Sequence, residues 1–389
     1  MVYSALFIVP GIYQPYFPLW LADRQMSEPE IAIVLSTPML LRLIVLPKLG
    51  LLADAAKKRM RVCRILAMLA LFFGLILQAQ NGFWSILIFS SLMTMIWQCI
   101  GPIFDSTVLN LVKSGAAPDF GRMRLWGSIS FALSSLVAGY VLSVWGTPAT
   151  LSIYLLAILG FLLVSFSAAW VPDERAQDDS TEQGVSGRPT LLAVMFIASF
   201  ILSSHATMNG FGSIHFGQLG YAENVIGKLW ALGTISEIMM FWAGPFIARW
   251  LGPFGILVLA SFSAIFRWTV MSLDPGLGLI IFLQMLHGMT FSASHIGVMR
   301  FFGVAVSSQK MAGIMAIYVT INGSITAGAT LVMGPLFAAY GAGAYLAAAV
   351  LPIVALAMLA VFRKGVAHEL ALPRSAVVPD TVVAGGTSP

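Results

Sequence analysis

Five ionisable side chains stand inside long apolar stretches: Arg42, His205, Glu237, Arg267 and His287. A charge near the centre of a bilayer costs from about 3 to more than 10 kcal/mol, and such residues usually mark ion or substrate pathways. A helical rise of about 1.5 Å per residue puts Arg42 roughly 18 Å in from Glu30 and Glu237 roughly 20 Å in from Asn224. Counting from Thr190, Pro253 and Gly276 brings His205, Arg267 and His287 to a similar depth. Asp105 differs. It lies roughly 32 Å along its stretch from Trp84, near an edge, and Arg124, Arg300 and His295 fall at that level too.

A carboxyl, a guanidinium and an imidazole at mid-depth are suited to proton exchange. Burial disfavours a charged carboxylate and a nearby arginine favours it. Moving Arg267 or His287 relative to Glu237 therefore changes the affinity of Glu237 for a proton, and His205 stands in the same layer. The competing reading is a permanent Glu237–Arg267 bridge between adjacent helices. Arg42 can clamp a substrate carboxylate bidentately or pair with Glu237. Asp105 with Arg124 or Arg300 reads either as a gate or as a static pair at helix ends. Tyr13, Gln14 and Tyr16, with Asn209 and Phe211, read as a pocket of aromatic walls with orienting amides, the usual make-up of a ligand site. Ordinary packing explains any one of them equally well.

These residues need helices in lipid to hold them. Of 389 residues, 59% are hydrophobic and 10% charged, against about 25% charged in a soluble domain. The apolar residues come in blocks of the length that crosses a hydrocarbon core of about 30 Å. They do not alternate as the strands of an outer-membrane barrel do. Cys63 and Cys99 have no metal-ligand spacing and suggest no disulfide framework. No phosphate-binding loop, nucleophile motif or metal cluster is present in the sequence, so neither an enzyme nor any cofactor is expected. The net charge of +5 reads as topology-setting lysine and arginine rather than nucleic-acid binding. Residues 2–21 lack a basic leader and read as a first span, not a signal peptide.

Twelve spans are expected, at about 3–22, 31–53, 62–79, 83–111, 124–145, 149–171, 190–216, 224–248, 253–272, 276–304, 311–340 and 344–362. Ser27 with Glu30 forms a capping-box pattern at the second. The organisation is an all-α membrane protein of two pseudo-symmetric six-helix bundles. They cover residues 1–171 and 190–364, with a cytoplasmic linker at 172–189 and a disordered cytoplasmic tail at 365–389. An offset of 195 residues supports the two halves, laying Gln14 on Asn209, Tyr16 on Phe211 and Arg42 on Glu237. Parallel repeats of this sort enclose a site between them. Lysine and arginine crowd the loops on one side, which places both termini in the cytoplasm.

Gly50-Leu51-Leu52-Ala53-Asp54, followed by Lys57-Lys58-Arg59-Met60-Arg61, resembles the loop signature of the major facilitator superfamily. The resemblance implies a breakable cytoplasmic latch between Asp54 and basic residues such as Arg59. Over nearly the whole chain, Arg124-Leu125-Trp126-Gly127-Ser128, His205-Ala206, Leu229-Trp230-Ala231-Leu232-Gly233, Arg267-Trp268 and Gln284-Met285-Leu286-His287 resemble the 3-phenylpropionate permease family. That family is similar to lactose permease and the nucleoside–proton symporters. Glu237, Arg267 and His287 are similar in arrangement to the acid, arginine and histidine of lactose permease. Here, however, Thr290 stands where that protein has a second carboxylate. The resemblance implies a monomeric transporter of the bacterial inner membrane. It would take up protons together with a small organic solute, an aromatic acid, a nucleoside or a sugar. Proton-antiport efflux of a metabolite or drug is the alternative.

Overall fold

The structure is a computed structural model that describes residues 1–55, 59–113, 120–167, 189–306 and 308–371. The first half holds α1 (Val2–Asp23), α2 (Glu28–Ala55), α3 (Arg59–Gln78), α4 (Phe83–Lys113), α5 (Phe120–Trp145) and α6 (Thr150–Ser167). The second holds α7 (Pro189–Ser203), α8 (Ala206–Gln218), α9 (Glu223–Met271), α10 (Leu277–Met285), α11 (Ala293–Ala305), α12 (Ser308–Tyr340) and α13 (Ala344–Ala371). With no water to satisfy backbone groups in lipid, apolar runs of this length form helices. Prolines at 10, 15, 18, 38, 47 and 102 sit inside α1, α2 and α4 without ending them. Ser27 starts α2 through a capping box: Glu30 Oε2 accepts from the Ser27 N–H at 2.9 Å and from its hydroxyl at 2.7 Å.

The described residues make twelve crossings, although helices and crossings do not correspond one to one. The run Glu223–Met271 turns sharply at Gly252, whose φ of 63° favours glycine, and so supplies two crossings. α12 and α13 are parted by a tight turn at Gly341–Gly343. Two spans expected to be continuous are broken. The seventh is interrupted at Ser204–His205, between α7 and α8. The tenth contains a π-helical turn at Gly288–Ser292, between α10 and α11. Such turns insert a residue into the helix and cluster at functional sites. Both breaks are held by side chains from other helices, which local sequence does not reveal. The tail expected from residue 365 also differs: α13 continues to Ala371, with Val366 buried. Of the expected linker only Pro189 is described, as the first residue of α7.

Large apolar side chains such as Phe72, Leu75, Trp84, Trp145, Trp242 and Val361 point outward, as lipid requires. Between the halves, α5 packs on α9, α2 on α12 and α1 on α8. The tightest approaches lie at the end that carries the turns after α1, α5 and α8. A Cβ on Gly227 would sit 2.5 Å from the Ser135 carbonyl oxygen, and one on Gly334 2.5 Å from the Ala32 Cβ. The buried Tyr16 hydroxyl donates to Ser135 O at 2.7 Å and lies 3.3 Å from Glu223 O, pinning α1 to both halves of this seal. Small residues let membrane helices approach this closely. Gly227→Val is therefore expected to disfavour the sealed state by about 1–3 kcal/mol. Spin labels at Ser143 and Gln218 should then report a longer, broader distance. An unchanged distance would mean that this crossing does not hold the end shut.

Candidate functional site

Glu237 lies on the first limb of α9, Arg267 on the second, and His287 between α10 and the π-turn. The three side chains form a chain. Arg267 Nη1 is 2.8 Å from His287 Nδ1, and His287 Nε2 is 2.7 Å from Glu237 Oε1. A guanidinium can only donate, so His287 Nδ1 accepts and the imidazole is neutral with its proton on Nε2. That proton is donated to Glu237. The carboxyl group thus meets the arginine through an imidazole rather than in the direct bridge weighed from the sequence. Arg267 is 1% exposed. Its Nη2 donates to Gln284 Oε1 at 2.6 Å, and Gln284 Nε2 donates to Leu229 O at 3.1 Å. The guanidinium also lies 4.5 Å from the Trp268 ring centre, a favourable cation–π contact.

The two helix breaks meet at Thr290. Its Oγ1 accepts from Arg267 Nη1 at 3.3 Å, lies 2.9 Å from His205 Nε2 and 3.0 Å from His287 O. Ser204, beside His205 in the interruption of the seventh span, accepts from Trp268 Nε1 at 2.8 Å. His205 thereby joins the cluster, and Thr290 occupies the middle of it without adding a charge.

A cavity of about 340 Å³ opens between the halves. Tyr13, Trp97 and Tyr154 supply aromatic wall, and Gln14, Gln98, Asn209, Asn322 and Thr326 supply polar groups. Tyr13 is fixed by stacking on Phe17 at 4.6 Å between ring centres and by a hydrogen bond from Thr94 at 3.3 Å. Arg42 also lines this space. Among the described residues its guanidinium has no hydrogen-bond or ion-pair partner, so the expected alternative of a pair with Glu237 does not form here. Gln14 and Asn209, matched by the internal offset, face the same space from opposite halves.

Tyr16 and Phe211 do not line this cavity. Both are fully buried, Tyr16 in the seal and Phe211 stacked on Phe337 at 5.0 Å. Their settings differ from those of the amides two residues earlier, Gln14 and Asn209, because successive helical residues point in different directions. Asp105 accepts from Tyr3 at 2.6 Å and from Arg124 at 3.1 Å. All three belong to the first half, so rocking of one half against the other would not separate Asp105 from Arg124. Arg300 lies on α11. The Asp54 side chain lies outside the described residues, and with it the expected latch to Arg59. Among the described residues no cluster of three or more histidine, cysteine or acidic residues is placed to hold a metal. Trp97, Gln98, Tyr154 and Asn322 were not among the residues expected from the sequence to line a site, and Gln284 entered there only within a family motif. The available signal was amide side chains inside apolar spans.

Two six-helix halves around a central cavity, with ionisable groups beside it, define a transporter of the major facilitator type. The chain belongs to the MFS_1 like family, whose model matches residues 1–362. It is 25% identical over 341 residues, 83% of this chain and 86% of the relative, to the "Probable 3-phenylpropionic acid transporter" of Escherichia coli (strain K12). It is 24% identical to the maltose permease of Geobacillus stearothermophilus, over 94% of this chain and 93% of that one. In fold it is similar to the nucleoside transporter NupG, with a TM-score of 0.76, 16% identity, and 96% of this chain and 98% of that one covered.

Proposed function

We propose that the protein is a proton-coupled symporter that takes up a small aromatic carboxylate across a bacterial inner membrane. The observation that carries this reading is the pairing of two sites at lipid depth. One is a cation (Arg42) that has no hydrogen-bond or ion-pair partner among the described residues and lies in an aromatic-walled cavity. The other is a carboxyl group hydrogen-bonded to a neutral imidazole beside that cavity (Glu237 and His287). Arg42 calls for an anion and the aromatic walls call for a ring. A relative named for 3-phenylpropionic acid and a structural neighbour described as a D-xylose–proton symporter support the reading. The lysine and arginine distribution supports cytoplasmic termini; in that orientation the sealed end is outside and the cavity opens inward.

In the proposed cycle, Glu237 takes a proton and Arg42 a substrate carboxylate from outside. The halves rock, both are released inside, and the empty carrier returns. One proton with one monocarboxylate carries no net charge. A pH gradient, acid outside, should therefore drive accumulation of labelled 3-phenylpropionate in proteoliposomes, while a potassium–valinomycin potential alone should not. Adding substrate outside should make the outer medium more alkaline. Accumulation that ignores the pH gradient would exclude proton symport. Absence of binding and of counterflow with 3-phenylpropionate, alongside transport of a neutral sugar or nucleoside, would exclude the carboxylate.

A further inference from the structure

A second, smaller cavity of about 40 Å³ lies beside the first. Glu237, His287, Arg267, Gln284, Thr234 and Asn209 contribute its polar lining. A water needs about 10–15 Å³ of such space and two to four polar partners, so this chamber suits a few waters rather than a solute. Among the described residues, Asn209 alone lines both this chamber and the large cavity. Its side-chain amide has no hydrogen-bond partner in the protein among the described residues. The placement comes from the interrupted seventh span. Asn209 lies in the first turn after the break, its backbone N–H bonded to His205 O at 2.8 Å. The break that brings His205 to Thr290 therefore also places Asn209 between the two spaces. Phe131 and Met208, which also line the chamber, are a ring and a thioether that cannot relay a hydrogen bond as an amide can.

We infer that Asn209 is the positioning residue that links occupancy of the substrate cavity to proton exchange at Glu237, through water held in the small chamber. The amide donates from its nitrogen and accepts at its oxygen but does not itself titrate. It can donate to a substrate carboxylate on one side while accepting from a chamber water that contacts Glu237 on the other. A filled cavity then holds the amide and its water in one orientation, and an empty cavity releases them. The proton itself moves between water and the Glu237 carboxyl group, and Asn209 sets when that path is connected.

The inference rests on the proposed role of Glu237, and the test separates the two. Asn209→Leu, Asn209→Ser and Glu237→Gln are compared with the native chain in proteoliposomes, with labelled 3-phenylpropionate as probe. Each is measured by counterflow and by accumulation under a pH gradient. Asn209→Leu should slow counterflow by about threefold but bring accumulation close to the equilibrium level, a split that lost binding alone does not produce. Asn209→Ser, which keeps a hydroxyl in the chamber wall, should recover part of the accumulation. Equal losses in both assays would make Asn209 a substrate contact only, and normal accumulation by Asn209→Leu would remove it from coupling altogether. If Glu237→Gln accumulates substrate normally, the proposed function fails. If Glu237→Gln fails to accumulate but Asn209→Leu succeeds, only the link through Asn209 falls. A melting temperature for each purified variant guards against misfolding, with Asn209→Ala as the substitute for a leucine variant that does not fold.

Discussion

Replacing Glu237 by glutamine is expected to abolish proton-driven accumulation. The amide has the size of the carboxyl group, and its oxygen can still accept the His287 Nε2 proton now donated at 2.7 Å. The variant should therefore fold, with His287 still held between positions 237 and 267. What it loses is a group that binds and releases a proton. A pH difference of one unit corresponds to about 1.4 kcal/mol, or roughly tenfold accumulation of a solute carried with one proton. In the variant the internal-to-external ratio should settle near equality whatever the imposed gradient. Counterflow, which needs no net proton transfer, should persist at a reduced rate. Glu237→Ala should be worse in stability as well, because the His287 N–H loses its acceptor and a buried unpaired donor costs about 1–3 kcal/mol. Accumulation by Glu237→Gln at the level of the native chain would show that the proton travels elsewhere and would leave the Arg267–His287–Glu237 chain as structure alone.

Arg42→Gln should weaken binding of an aromatic carboxylate by about 100-fold. Two charge-assisted hydrogen bonds from a guanidinium contribute roughly 3 kcal/mol, which corresponds to that factor. Arg42→Lys should lose much of the same affinity, since an ammonium cannot offer the planar two-point grip. The neutral amide of the same acid provides the control. It should bind the native protein weakly and Arg42→Gln about equally, so that the preference for the acid disappears. Stability should move the other way. Arg42 lacks a protein partner among the described residues, and an uncompensated charge in a half-buried place is costly. The glutamine variant should melt at the same temperature or higher. A lower melting temperature, together with undiminished binding of the acid, would show that Arg42 props up the fold and does not read the substrate.

The seal predicts a further asymmetry. Tyr16 and the glycines at 139 and 227 hold the halves together at one end, whereas the Asp105–Arg124 pair lies within the first half. Opening the sealed end must break the Tyr16 contact to Glu223 O. By contrast, the Asp105–Arg124 pair survives the rocking of one half against the other.

Hydropathy was enough to find the twelve crossings, because lipid admits only helices of sufficient apolar length. Rise per residue put Arg42, Glu237, Arg267 and His287 at one expected level. The break at Gly252 was legible for the same kind of reason, as a glycine beside a proline between two apolar runs. The interruption at His205 and the π-turn at Gly288–Ser292 were not legible. Each is stabilised by bonds to another helix, through Thr290, Trp268 and Arg267. Which residue faces the cavity was equally hidden. Gln14 and Tyr16 are two positions apart on one helix, yet one lines the cavity and the other lies in the seal. Spacing along a helix sets the angle between side chains, but only the packing of neighbouring helices decides what lies in each direction. The order of the central chain was likewise a matter of tertiary structure. Sequence supplied an acid, an arginine and a histidine at one depth. Only the meeting of the two limbs of α9 with the tenth span put the imidazole between the other two.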